Sequence, residues 1–256
     1  MHSLIGTLTP WAFLLASAIT LGAGFVKGAI GFAMPLIMIA TLPSLMTAPE
    51  ALAALILPTL VTNLHQSLRH GVAPFAASLS KFWRIVAATL VGIVISAPFV
   101  VILPQQAMFL LLGLAVGFFA LLNLSGWTPE IPRRWQHPAE FGFGLVGGLY
   151  GGVSGTWGPP AIVYLLAIKV DKREMVRVLS VIFTMGAVML TVAHLFSGVL
   201  NAATIPMSAA LCIPAGMGMW LGYRVHDRLD AARFRRWTLF FLLLTALNLL
   251  RRGLAG

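Results

Sequence analysis

Two short stretches hold the residues whose types and spacing could do chemistry: GAGFVKGAIGFAMPL at 22–36 and GLVGGLYGGVSGTWGPP at 144–160. Lys27 is the one basic residue far from any plausible loop. Ser154 and Thr156 offer hydroxyl donors, and Trp157 offers an indole N–H with an apolar wall. Gly28, Gly31, Gly155 and Gly158 let the backbone curl and let a ligand approach closely. Pro35, and Pro159 or Pro160, stand where proline is favoured at the first position of a helix. Each stretch therefore predicts a break followed by a helix whose N-terminus, with its N–H groups and positive dipole end, faces the break. The chemistry this suits is non-covalent capture of an anion by backbone N–H groups, one ammonium and two hydroxyls.

Other chemistries find little support. GFVKGAIG lacks the GxxxxGK[ST] order of a phosphate loop, and GGLYGGVSG follows no soluble strand. No Ser-His-Asp or paired-carboxylate arrangement is visible, so the chain is not read as an enzyme. The six histidines (His2, His65, His70, His137, His194, His226) show no HxxxH or HxH spacing, and Cys212 stands alone. Neither a metal site, another cofactor nor an intramolecular disulfide is expected.

The same residues also have bland readings. Glycines spaced by three or four, such as Gly24, Gly28 and Gly148, equally suit close helix packing. Lys27 could snorkel to an interface. Asn63, Tyr164 and Thr184 could line a path or simply pack. His194 is expected to serve a helix end rather than carry protons. Glu50 and Glu174 sit beside helix starts, where carboxylates favour the dipole.

The elements that must position these groups are membrane helices. The 256 residues are 59% hydrophobic and only 9% charged, with a mean hydropathy of +0.93, and apolar runs recur from end to end. Net charge is +10, but the basic residues lie in short loops, where the positive-inside rule accounts for them without nucleic acid. The first apolar segment lacks a basic leader and is read as part of the mature fold.

Apolar segments are predicted at 8–27, 32–47, 49–66, 83–103 and 105–124, then 138–150, 159–170, 175–195, 203–224 and 235–251, with a polar linker at 125–137. An ungapped shift of 124 residues carries Gly24 onto Gly148, Gly28 onto Gly152, Gly31 onto Gly155, Pro35 onto Pro159 and Glu50 onto Glu174. The chain is thus a repeat of two halves, 1–124 and 138–256. The second-half pair is too short for two spans of ~20 residues each, so it is either one bent span or a hairpin. A hairpin puts 14 basic residues on one face, Arg228 among them, against Arg251 and Arg252 on the other; a bent span gives seven against nine. The hairpin is favoured. The expected fold is all-α: two inverted repeats, each a glycine-broken hairpin (8–47 and 138–170) followed by three transmembrane helices, an arrangement common in secondary transporters.

With its duplicated glycine-rich stretches, GAGFVKGAIGFAMPL at 22–36 and GLVGGLYGGVSGTWGPPAIVYL at 144–165, the chain resembles the TauE/SafE family of sulfite and organosulfonate exporters. The first copy departs from the glycine-denser family form at Lys27, Ala29 and Phe32. The resemblance implies a multi-pass protein of the cytoplasmic membrane moving sulfite, sulfoacetate or related C2 sulfonates. Combined with the residue reading, it predicts an exporter working by alternating access, with the anion held by the two breaks through Lys27, Gly28, Gly31, Ser154, Gly155, Thr156, Trp157 and Gly158. All seven acids, Asp227 among them, fall at segment ends or in loops, so no carboxylate is expected deep in the membrane for ion coupling. The expected partners are the small anion and the bilayer; a homodimer is compatible with the sequence, which does not fix the oligomeric state. The competing expectations are an anion channel of the same fold and an accessory subunit whose glycines only pack helices.

Overall fold

The computed structural model describes residues 8–69, 71–126, 130–225 and 230–255. His2, His70, His226, Asp227 and Arg228 lie outside them. The described residues form eleven α-helices and no strand. The first half contributes α1 (Pro10–Ile30), α2 (Met34–Thr41), α3 (Ala48–Leu68), α4 (Val72–Lys81), α5 (Trp83–Ser96) and α6 (Gln105–Ser125). The second contributes α7 (Gln136–Ser154), α8 (Gly158–Ala167), α9 (Lys172–Ser197), α10 (Ile205–Val225) and α11 (Ala231–Ala255). Seven are long and apolar enough to cross a membrane: α1, α3, α5 with its 3-10 extension to Val101, α6, α9, α10 and α11. The chain is a multi-pass membrane protein.

Two boundaries differ from expectation for a physical reason. The glycine-rich ends of the first arms stay helical, so α1 runs through Gly22, Gly24 and Gly28, and α7 through Gly151 and Gly152. Glycine weakens a helix in water, but inside a bilayer an opened backbone has no water to turn to. The breaks shrink to Gly31–Ala33 and Gly155–Trp157. The unforeseen helix is α4, which is too short and too rich in serine and alanine to stand out as an apolar run.

The chain divides into two compact units. The first comprises Met1–Thr59, Val101–Gly126 and Gly198–Gly256. Within it α1 lies along α10, α6 packs on α11, and α2 packs against α11 and α6. Gly24 and Gly28 face the backbone of Ala215 and Met219, while Gly218 and Gly222 face that of Leu21 and Phe25. A Cβ at any of the four would overlap a backbone oxygen. Pro58 inside α3 cannot donate to the Ala54 carbonyl; the Ser208 hydroxyl donates to it instead at 3.3 Å and accepts the Leu57 N–H at 3.2 Å.

The second unit comprises Leu60–Val100 and Trp127–Ser197. Here α7 lies along α5, and α9 packs against α5, α4 and α8. Gly144 and Gly148 face the carbonyls of Ile85 and Thr89, and Gly152 meets Ile93 and the Ser96 hydroxyl. Ala215, Gly218 and Met219 stand 126 positions after Thr89, Gly92 and Ile93, and those residues hold the matching places against Gly24 and Gly28 in one unit and Gly148 and Gly152 in the other. One packing register is therefore built twice. Without a hydrophobic drive between helices in lipid, such close approach is what holds apolar helices together. In each unit the hairpin comes from one half of the sequence and its partner helix from the other.

The α7–α8 pair is a hairpin. The Ile131 N–H, ahead of α7, donates to the Ala167 carbonyl at the end of α8 (3.2 Å), and Glu130 pairs with Lys169 at 2.7 Å. These contacts bring the segment before α7 to the end of α8.

Candidate functional site

The second break is the more polar of the two. Helix α7 closes at Ser154, with Gly155 in the left-handed conformation (φ 73°) and its N–H on the Gly151 carbonyl at 2.7 Å. Only glycine takes that conformation without a steric cost. The chain then turns on a local hydroxyl pair. Ser154 Oγ accepts the Thr156 N–H at 3.1 Å and lies 2.9 Å from Thr156 Oγ1, all of it buried. Such hydroxyl protons can swing from a neighbouring hydroxyl to an incoming acceptor.

Trp157 sets the direction of α8. Its indole Nε1–H donates to the Ile182 carbonyl at 3.0 Å. Gly186 makes room for the ring, and a Cβ there would meet it at 2.7 Å from Cζ2. Gly158 lies flat against Phe183, where a Cβ would stand 2.8 Å from Cε1. Pro159 and Pro160 follow in the first turn of α8, one place later than expected, and they remove two of the N–H groups that a helix start normally offers. The donors left over are the main-chain N–H groups of Trp157 and Gly158, which hold no hydrogen bond among the described residues.

A residue absent from the sequence reading completes this cluster. The buried Tyr150 hydroxyl lies beside the Ser154 and Thr156 hydroxyls without closing a well-formed hydrogen bond to either. Its signal was its spacing, four residues before Ser154 on one helix, which puts both on the same face. A second reinforcement comes from His194. Its Nε2 is 2.8 Å from the Gly152 carbonyl and its Nδ1 is 3.0 Å from Ser197 Oγ. A carbonyl only accepts, so Nε2 carries the proton, and Nδ1 accepts from the serine.

The predicted path residues fall in the same unit but in different places. Asn63 and Thr184 pair across α3 and α9: Asn63 Nδ2 donates to the Phe183 carbonyl (3.0 Å), and Thr184 Oγ1 donates to the Asn63 carbonyl (3.2 Å). That tie includes the carbonyl of Phe183, whose ring backs Gly158. Tyr164 points away from the break, its hydroxyl donating to the Gln136 carbonyl at 3.3 Å near the open end of the hairpin.

The first break is built on the same cap and carries different side chains. Gly31 is left-handed (φ 87°), and its N–H lies 2.7 Å from the Lys27 carbonyl. Ala33 is also left-handed (φ 80°), a conformation that costs a residue bearing a Cβ about 1–2 kcal/mol. Lys27 lies in the last turn of α1 and is only 2% exposed; the C-terminal end of a helix dipole favours a cation there. Gly28 belongs to the α1–α10 seam, and Gly31 forms the cap. Lys27, Gly28 and Gly31 thus belong to one unit, and Ser154, Gly155, Thr156, Trp157 and Gly158 to the other.

Glu50, Glu140 and Glu174 stay out of both breaks. Glu50 accepts the Thr47 N–H at 2.9 Å at the start of α3, and Glu174 pairs with Lys81 at 2.5 Å at the start of α9. Glu140 is buried more deeply than its sequence position suggested. It accepts the Ile85 N–H at 3.3 Å in the first turn of α5, with His137 at 3.7 Å and Arg84 at 4.0 Å from its other oxygen.

A family model described as "Sulfite exporter TauE/SafE" matches residues 16–249. Among curated proteins nothing matches, and no solved structure matches either.

Proposed function

Because the chain belongs to the sulfite exporter TauE/SafE family, we propose that it exports small sulfur oxyanions, sulfite or C2 sulfonates such as sulfoacetate, across the cytoplasmic membrane by alternating access. The observation that carries this reading is the second break. Two unclaimed main-chain N–H groups, at Trp157 and Gly158, stand beside three buried hydroxyls, those of Tyr150, Ser154 and Thr156. Unclaimed N–H groups beside hydroxyls that can turn to donate suit an anion, and such a site needs no cofactor.

Direction follows from electrostatics. Moving one charge through ~100 mV is worth about 2.3 kcal/mol, so an inside-negative membrane drives anions outward without a coupled ion. The described carboxylates that pair with helix starts or surface lysines offer no alternative driver inside either break.

The test is efflux from proteoliposomes loaded with sulfite or sulfoacetate, with the potential set by a potassium gradient and valinomycin. Export requires saturable flux that accelerates when the loaded side is negative and supports counterflow. Flux that never saturates would convert the reading to a channel. No sulfur-anion flux at any potential would refute it.

A further inference from the structure

Arg235 stands beside a basic loop in the sequence, yet the fold does not leave it as an ordinary loop charge. It lies in the first turns of α11, part-buried, with its guanidinium 5.9 Å from the ring of Phe32 in the first break. The neighbouring Phe234 ring meets Phe25 of α1 edge-on at 6.0 Å. Its Nη2 donates to Asn123 Oδ1 at 2.6 Å, and Asn123 is itself oriented by donating to the Phe119 carbonyl at 2.9 Å. The Arg235 Nε is buried and has no hydrogen-bond partner among the described residues.

No described carboxylate pairs with this guanidinium. The acid nearest in sequence, Asp230, is turned to the helix start, where its Oδ1 accepts the Arg233 N–H at 3.1 Å. The position also runs against the dipole of α11, whose N-terminal end repels a cation. Among the described residues, this part-buried guanidinium has a neutral amide as its one polar anchor, a sequestered N–H and no paired carboxylate, so both its charge and its hydrogen bonding can still take an acceptor. An oxyanion answers both needs at once, because a guanidinium edge matches two oxygens of a sulfonate, sulfite or phosphate group.

We propose that Arg235, oriented by Asn123 and backed by Phe32, is an oxyanion-binding group at the first glycine break. The occupant is the transported sulfur anion, so this assignment rests on the exporter reading. The same chemistry would also accept a lipid phosphate, and the experiment separates the two.

Purified protein is to be melted with and without sulfite, sulfoacetate and inorganic phosphate, and its sulfite efflux measured in liposomes of pure phosphatidylcholine and in liposomes containing phosphatidylglycerol. Arg235→Gln removes the charge, and Arg235→Lys keeps the charge without the fork. Asn123→Asp places a carboxylate on the guanidinium. The expected result is loss of anion-induced stabilisation in Arg235→Gln, with the half-saturating sulfite concentration raised roughly tenfold or more. Arg235→Lys should fall between Gln and wild type. Asn123→Asp should melt higher than wild type without anion yet bind sulfite more weakly, which keeps the proposal testable if Arg235→Gln misfolds. Wild-type stabilisation and half-saturation in both Arg235→Gln and Asn123→Asp would overturn the site and leave the exporter reading standing. Stabilisation by oxyanions that needs Arg235, in a protein with no sulfur-anion flux, would keep the site and refute the exporter reading. An Arg235 effect seen only with phosphatidylglycerol present would assign the site to a lipid phosphate and overturn the substrate assignment.

Discussion

Replacing His194 with phenylalanine tests whether this buried ring serves the backbone or carries protons. A helix that ends inside a membrane leaves its last four carbonyls without intrahelical donors. At the end of α7 the Gly151 carbonyl takes the Gly155 N–H. The Gly152 carbonyl would ordinarily wait for the Thr156 N–H, which is committed to Ser154 Oγ; His194 Nε2 supplies the missing donor at 2.8 Å. Phenylalanine keeps the ring and removes the donor. A buried polar group left unsatisfied costs about 1–3 kcal/mol, and carbonyls tolerate this better than N–H groups, so the expected loss is about 1–2 kcal/mol. On the scale of soluble domains of this length, that lowers the melting temperature by roughly 2–8 °C. His194→Gln can still donate an amide N–H and should lose less. Thermal melts of the purified variants measure both, alongside the pH profile of efflux. An unchanged melting temperature in His194→Phe would refute the capping role. So would a His194→Gln protein that keeps its stability while losing the pH dependence of transport, because that is how a proton carrier behaves.

The duplicated seam makes a paired prediction: Gly24→Val and Gly148→Val should each abolish a well-folded peak in size-exclusion chromatography, because a Cβ at either site overlaps a backbone oxygen. Gly22→Ala and Gly142→Ala, with nothing within 4 Å of the added carbon, should fold normally and gain up to about 1 kcal/mol from helix propensity. A folded Gly148→Val protein would show that the helices can separate at little cost. At the second break, Ser154→Ala should mainly destabilise, by about 1–3 kcal/mol, since it strands the buried Thr156 N–H. Thr156→Val keeps that N–H on Ser154 and should mainly raise the half-saturating sulfite concentration in efflux. Equal effects of the two on melting would dismiss this division of roles.

The spans were legible because lipid allows few alternatives: a run long and apolar enough to cross must be helical. Loop charge likewise favoured the hairpin that Ile131 and Ala167 close. The glycines were harder to read, since glycine marks a chain turn and a helix seam equally well. Gly31 and Gly155 turn the chain, while Gly28, three residues before Gly31, packs a helix. What separates them is the partner across the seam, in α10 or α5, which no local pattern displays. Tyr150 and Arg235 were missed for a related reason. A tyrosine in an apolar run and an arginine near a basic loop look ordinary until burial shows which hydroxyl and which N–H have no water to use.

The repeat itself separates architecture from chemistry. Positions that match under the shift of 124 residues are structural: Gly24 with Gly148 and Gly28 with Gly152 in the seam, Gly31 with Gly155 in the cap. Under the same shift Ser154, Thr156 and Trp157 fall on Ile30, Phe32 and Ala33, so the first break has no hydroxyl or indole of its own. A duplicated fold needs its seams twice, because each copy must bring two backbones equally close. The side chains at the two breaks, by contrast, differ. The second kept its donors within the turn. In the first, the polar groups come from one turn before it, at Lys27, and from α11, at Arg235, and the residues of the break became the apolar surface against which a guanidinium can lie.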